Sequence, residues 1–96
     1  MLIRSQDKEQ LLNIDFVKTI GICERGKCFA IFIDSLYFIG NYSSREKVIK
    51  VLDMIQEAYS EYQIMLNFSV SYLHEFKEKT DGFAIFQMPE DSEVEV

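Results

Sequence analysis

The longest apolar stretch of the chain spans residues 28–40, where Asp34 and Ser35 are the only polar interruption. A strand exposed on one side alternates apolar and polar residues, but here both alternating faces are apolar. The pattern therefore predicts a β-hairpin that is covered on both faces and turns at Asp34 and Ser35. Residues 17–24, rich in β-branched side chains, predict a preceding antiparallel strand that joins the hairpin through a turn at residues 25 and 26.

A two-residue loop at this first turn places Glu24 opposite Lys27 and Cys23 opposite Cys28, and both pairs suit the register. We interpret the cysteines as packing residues, with a disulfide as the second interpretation and half of a metal site as the third. The thiols of a cytoplasmic chain stay reduced, and zinc would need two more ligands where His74 is the only histidine. We expect no metal site and no cofactor.

A helix is predicted from about residue 44 to about residue 60. Ser43 and Glu46 match the S-x-x-E capping box that satisfies the free amides of a helix start. Apolar residues then recur at spacings of three and four and form one stripe, which contains Val48, Val51, Leu52, Ile55, Tyr59 and Tyr62. Short strands are predicted at residues 2–4, 10–13 and 83–88, whereas residues 61–80 fit a strand and a helix equally well.

These elements define an α+β fold, in which a small antiparallel sheet of about five to six strands is packed by one main amphipathic helix. Residues 1–89 form a single domain, and residues 90–96 form an acidic tail that holds four of the sixteen acidic residues. We interpret the tail as a solvated, frayed terminus. The alternative is an acidic arm that mimics nucleic acid or docks on a basic partner.

The charge and hydropathy of the chain exclude several classes of protein. The net charge is −6, and no basic stripe is present to replace the counterions of phosphate, so we expect no direct DNA binding. No run approaches the ~18 consecutive apolar residues of a membrane span, and the start of the chain has no signal-peptide pattern. These features predict a cytoplasmic protein without a membrane partner.

The chemistry of the sequence favours binding over catalysis. No phosphate-binding glycine motif and no nucleophile or paired-carboxylate arrangement is present, so we expect no enzyme. Two polar clusters are candidate ligand sites: the first comprises Arg4, Ser5, Gln6, Asp7 and Lys8, and the second comprises Ser43, Ser44 and Arg45 at the helix start. The alternative interpretations are a solvated turn and a plain helix cap. If the two clusters converge, they make a pocket for a phosphate-bearing ligand.

Three segments carry a resemblance to known sequences: Ile-Arg-Ser-Gln-Asp-Lys at residues 3–8, Ile-Gly-Asn-Tyr-Ser-Ser-Arg-Glu-Lys-Val-Ile-Lys-Val-Leu-Asp-Met-Ile at residues 39–55, and Phe-Gln-Met-Pro-Glu-Asp at residues 86–91. In this order they resemble a family of small, largely uncharacterised proteins of phages and prophage-like elements in Firmicutes. The chain departs from the usual pattern at Ile39, Asn41 and Val48. The resemblance brings no activity with it, but it implies a phage context, in which small acidic proteins often act against host defences.

We therefore expect a non-enzymatic anti-defence protein, an oligomeric sponge that sequesters a nucleotide-like host immune signal, with a phosphate-bearing or cyclic nucleotide as the ligand. The alternatives are an inhibitor that binds a host defence protein, as anti-CRISPR proteins do, and an accessory scaffold. Self-association is expected because a monomer rarely leaves a large apolar patch in water. The candidate residues of the oligomer interface lie in the hairpin and are Phe29, Ile31, Phe32, Tyr37 and Phe38.

Overall fold

The computed structural model describes residues 1–66 and 85–96, which contain six strands, one α-helix and two short 3-10 helices. The strands are β1 (Leu2–Arg4), β2 (Leu11–Asn13), β3 (Ile20–Arg25), β4 (Cys28–Ile33), β5 (Tyr37–Tyr42) and β6 (Ile85–Gln87). Helix α1 (Arg45–Leu66) follows β5, and the 3-10 helices span Ile14–Phe16 and Asp91–Glu93. The α+β class is confirmed, but the strands form two sheets of three strands instead of one.

The first sheet has β1 at its centre, with β2 antiparallel on one side and β6 parallel on the other. Ile3 of β1 pairs with Leu12 and with Phe86, and its side chain is fully buried. The prediction of a purely antiparallel sheet was wrong for β1 and β6. Parallel strands cannot be joined by a tight turn, so they are far apart in sequence. The pairing of such distant strands cannot be predicted from local sequence patterns.

The second sheet is the antiparallel meander β3-β4-β5, as the sequence predicted. The first turn differs from the prediction, because Arg25 pairs with Cys28 and leaves Gly26 and Lys27 as the two-residue loop. Gly26 has φ +61°, a conformation that glycine adopts readily at the first position of such loops. Both predicted cross-strand pairs were therefore wrong: Cys23 does not face Cys28, and both thiols are free.

The turn between β4 and β5 lies at Asp34 and Ser35, as predicted. Their φ angles are +54° and +59°, in the left-handed region that residues other than glycine rarely occupy. The Asp34 carboxylate offsets part of this strain, because Oδ1 accepts hydrogen bonds from Lys18 N at 2.8 Å and Thr19 N at 2.9 Å. The strained turn is thereby tied to the segment that leads into β3.

One hydrophobic core cluster contains buried residues of the helix and of both sheets. Helix α1 buries Val48, Val51 and Ile55, and it continues to Leu66, beyond the predicted end near residue 60. The same core cluster includes buried residues of the strands and of the C-terminal segment, namely Met1, Ile3, Ile31, Ile33, Ile39, Tyr42, Met88 and Val94. Full burial of aliphatic or aromatic side chains contributes about 1.5–3 kcal/mol each, so this cluster is the main source of stability.

Candidate functional site

The first polar cluster, Arg4 to Lys8, forms a turn that satisfies its own polar groups. Ser5 is almost fully buried, and its hydroxyl donates to the Asp7 carboxylate, which also accepts from Glu9 N at 3.0 Å. These hydrogen bonds, that of Ser5 first, lower the pKa of the Asp7 carboxyl below its usual value. Arg4 Nε donates to Lys8 O at 3.1 Å. Much of the hydrogen-bonding capacity of this cluster is therefore used within the turn.

Gln6 connects this turn to two other parts of the fold. Its backbone N donates to Ile39 O at 2.8 Å, and its side-chain Oε1 accepts from Asn41 N at 2.9 Å, so it pairs with the edge of β5. Its Nε2 donates to Asn41 O at 3.1 Å and to Pro89 O at 3.2 Å. Pro89 O also accepts from the Tyr42 hydroxyl at 2.8 Å, and burial raises the pKa of that hydroxyl above its ordinary value.

The second polar cluster begins helix α1. Ser44 Oγ accepts from Lys47 N at 3.2 Å, which makes Ser44 the N-cap. The predicted capping box of Ser43 and Glu46 was therefore wrong, because the N-cap lies one residue later and its N3 residue is Lys47. Ser43 instead donates twice to the same oxygen of Asp91, from its backbone N at 2.8 Å and from its Oγ at 3.1 Å.

Asp91 places a carboxylate against the first turn of helix α1. Its Oδ2 lies 3.4 Å from Lys47 Nζ, which also donates to Asp91 O at 2.9 Å. The hydrogen bond from Ser43 N lowers the pKa of Asp91, and the Ser43 hydroxyl and the charge of Lys47 act in the same direction. The helix dipole favours a negative charge at this position. The helix start therefore already holds an anion, which the chain itself supplies.

The acidic tail is packed on the domain, so the prediction of a frayed terminus was wrong. Met88 is 1% exposed and Val94 is 4% exposed, and both belong to the core. Glu90 and Glu93 cap each other around the second 3-10 helix, with Glu90 N donating to Glu93 Oε1 at 2.9 Å. Burial of two apolar side chains offsets the conformational entropy that a frayed terminus would keep.

The C-terminal segment contacts one residue of each predicted polar cluster. Pro89 contacts Gln6 of the first cluster, and Asp91 contacts Ser43 of the second. We call the region around these four residues the junction. Arg45 is exposed beside it. The sequence pattern did not predict the role of Asp91, because acidic residues recur throughout the tail.

The predicted interface residues are divided between the two faces of the second sheet. Ile31 is fully buried and Phe29 packs against the core, so both belong to the inner face, which is a correction. Phe32 and Phe38 are cross-strand partners on the opposite, outer face, where their rings meet edge to face at 5.8 Å. Tyr37 is 49% exposed and Phe38 is 41% exposed. Tyr37 and Phe38 are therefore the exposed members of the predicted interface, and Phe32 is half-buried.

The described residues offer neither a metal cluster nor a membrane span. Within residues 1–66 and 85–96, no three His, Cys, Asp or Glu side chains are grouped closely enough to hold a metal ion. In the same ranges no helix has the length and apolar character needed to cross a membrane. His74 and the undecided residues 67–80 lie outside the described part of the chain, as do residues 83 and 84 of the last predicted strand.

Comparison of the chain with protein-family models, with curated proteins and with solved structures found no match. The resemblance to phage proteins of Firmicutes thus stays a prediction. The fold and the junction define a small α+β protein whose N-terminal turn, helix start and C-terminal segment are tied by hydrogen bonds.

Proposed function

We propose that the protein is a non-enzymatic anti-defence protein that acts as an oligomeric sponge for a nucleotide-like immune signal. The observation that carries the proposal is the double donation from Ser43 to one carboxylate oxygen of Asp91 at the helix start. A phosphate oxygen accepts the same two hydrogen bonds and is favoured by the same helix dipole. Arg45, exposed next to Ser44, adds a cation for a second phosphate oxygen.

In this proposal a ligand competes with Asp91 for the Ser43 donors. Competition makes a specific prediction, because Asp91→Asn leaves only a neutral, weaker acceptor for the Ser43 donors and removes a negative charge that repels phosphate. Asp91→Asn should therefore bind the ligand about tenfold more tightly. A gain in affinity is informative, since general damage to the fold would reduce binding.

The test is calorimetric titration and thermal-shift measurement with a panel of cyclic mono- and dinucleotides. We expect at least one member to bind, Arg45→Gln to weaken its binding about tenfold, and Asp91→Asn to strengthen it. Lys27→Gln is the matched control for Arg45→Gln, because Lys27 lies in the β3-β4 loop and its loss changes the net charge by the same amount. Absence of heat and of a melting shift with every member would overturn the proposal.

A second candidate function is inhibition of a host defence protein that has a basic nucleic-acid channel. The observation in its favour is that Glu90, Glu93 and Glu95 are exposed on a segment whose position is fixed by the buried Val94. Acidic groups held in fixed positions lose little entropy on binding a basic surface. Binding to such a partner should weaken steeply as salt is raised, and a salt-insensitive complex would contradict this candidate.

A further inference from the structure

The outer face of the second sheet carries a hollow that the junction does not involve. It has a volume of about 260 Å³ and is lined by Thr19, Gly21, Ile22, Cys23, Phe32 and Ser35. A solvated strand face would present polar side chains at the positions of Phe32 and Phe38. Instead Phe32 lines the hollow, and its ring contacts the ring of Phe38, which is exposed to solvent.

Gly21 shapes the hollow. It is the cross-strand partner of Phe32, and a Cβ built on Gly21 would meet no atom within 4 Å. The missing side chain therefore leaves open space beside the Phe32 ring. Such a space suits a flat ring, because aromatic rings stack on or against one another with centroids about 4.5–7 Å apart.

Arg25 provides a cation on the same face. Its guanidinium carbon lies 5.5 Å from the centroid of the Phe38 ring, and that ring in turn contacts Phe32. Among residues 1–66 and 85–96, Arg25 forms no ion pair. The Phe38 ring thus lies between Phe32, which lines the hollow, and the Arg25 guanidinium. No carboxylate of the described residues neutralises that guanidinium.

The rim of the hollow is also strained. Ser35, which lines it, has φ +59° and follows Asp34 at φ +54°. Backbone strain of this kind persists only where the surroundings hold it, and it clusters at sites that bind ligands. The hollow, the glycine, the cation and the strained rim are four separate features of one surface.

We propose that this face binds a free mononucleotide, with its base in the hollow beside Phe32 and its phosphate on Arg25. Base–aromatic stacking tolerates any base, and the guanidinium is suited to a phosphate. The hollow is smaller than the roughly 300–1,000 Å³ of pockets for drug-sized ligands, which fits one ring and leaves the phosphate outside. A chain with net charge −6 repels the many phosphates of a polynucleotide, so a single nucleotide is favoured as the ligand over a nucleic acid strand.

The test is a titration of the ¹⁵N-labelled protein with AMP, followed by amide correlation spectra. We expect shifts at residues 19–23, 32 and 35. Ribose 5-phosphate, which has no base, should bind at least tenfold more weakly, and single-stranded oligo-dA should bind no more tightly than AMP. Equal binding of AMP and ribose 5-phosphate, or much tighter binding of the oligonucleotide, would overturn the proposal.

Two variants locate the site. Gly21→Val fills the hollow with a residue that favours strands and should weaken AMP binding at least tenfold. Arg25→Gln should weaken the binding of AMP about fivefold and leave the binding of adenosine unchanged. This comparison stays decisive if Gly21→Val does not fold. Lys27→Gln is the control of equal charge. Unchanged AMP binding in both variants, or no spectral shifts at all, would refute the site.

The positions of the shifts separate this inference from the proposed function. Shifts confined to residues 4–8 and 43–45 would refute the sheet site and support the junction. Shifts confined to residues 19–23, 32 and 35 would support the sheet site and leave the sponge without its proposed phosphate contacts.

Discussion

Replacement of Asp91 by asparagine should weaken the attachment of the C-terminal segment while both sheets keep their structure. Asparagine has nearly the same shape as aspartate and keeps one oxygen that can accept from Ser43. The substitution Asp91→Asn therefore removes the charge and little else. What it measures is the charge-dependent part of the contact with Ser43 and Lys47.

The size of the effect follows from three interactions. A hydrogen bond to a charged group contributes roughly 1.5–3 kcal/mol, against roughly 0.5–1.5 kcal/mol for a neutral one. A charge at a helix start contributes about 0.3–1 kcal/mol, and an exposed ion pair such as that with Lys47 contributes about 0.2–1 kcal/mol. The Asp91 side chain is 41% exposed, and solvent therefore screens all three interactions. We expect a loss of about 1–2 kcal/mol in the free energy of unfolding.

The loss should depend on pH. The pKa of Asp91 in the folded protein lies below its ordinary value of 3.8, mainly because Ser43 N donates to the charged form. A carboxyl with a lowered folded-state pKa stabilises the fold fully above its unfolded pKa, and this contribution is lost as the pH falls through the folded value. The difference between wild type and Asp91→Asn should thus be largest at neutral pH and shrink below about pH 4.

Urea denaturation followed by circular dichroism measures the free energy of unfolding. Amide hydrogen exchange shows which part of the fold is destabilised. Asp53→Asn is the matched control, since Asp53 is an exposed acid of the same type on helix α1. Exchange should accelerate at residues 88–94 and in the first turn of helix α1, and it should not change in β3 and β4. Equal losses for Asp53→Asn and Asp91→Asn, or a loss that does not shrink in acid, would refute the reasoning.

Four further substitutions test the fold by the same urea assay. Gly40→Ala places a Cβ 3.1 Å from the buried Tyr42 ring and should cost about 1–2 kcal/mol, whereas Gly21→Ala, which meets nothing within 4 Å, should leave stability nearly unchanged. Gln6→Ala removes the side-chain hydrogen bonds to two segments and should cost about 2 kcal/mol, and a loss near zero would contradict its bridging role. Ser35→Gly relieves a positive φ and should gain up to about 1 kcal/mol, so a loss would show that the strain is misjudged.

Local patterns predicted the parts of the fold that local contacts specify. The meander, the turn at Asp34 and Ser35, and the start of helix α1 to within one residue all follow from alternation, turn residues and helical spacing. The loop at Gly26 and Lys27 was misplaced by one position, since several two-residue loops fit the same apolar pattern. A shift of this size exchanges which side chains face each other, which is why the cysteine pair was wrong.

The junction was only half predictable. The two polar clusters were identified from residue types, because Ser and Asp beside a strand or at a helix start commonly form hydrogen bonds with nearby backbone groups. Their contacts with the C-terminal segment depend on Pro89 and Asp91, and Asp91 lies 48 residues beyond Ser43. Nothing in the tail marks Asp91 as the acid that docks. Val94 also anchors the tail through its burial, but a single valine forms no apolar pattern that could be detected in the sequence.

The parallel pairing of β1 with β6 has a consequence for synthesis on the ribosome. Gln6 and Pro89 are 83 residues apart in sequence, so the central strand of the first sheet waits for its second partner until residues 85–87 have emerged. During that interval one edge of β1 is open to other chains and to proteases. Contacts of such wide separation also slow folding. Premature products that stop before β6 should therefore be degraded or aggregate before they accumulate.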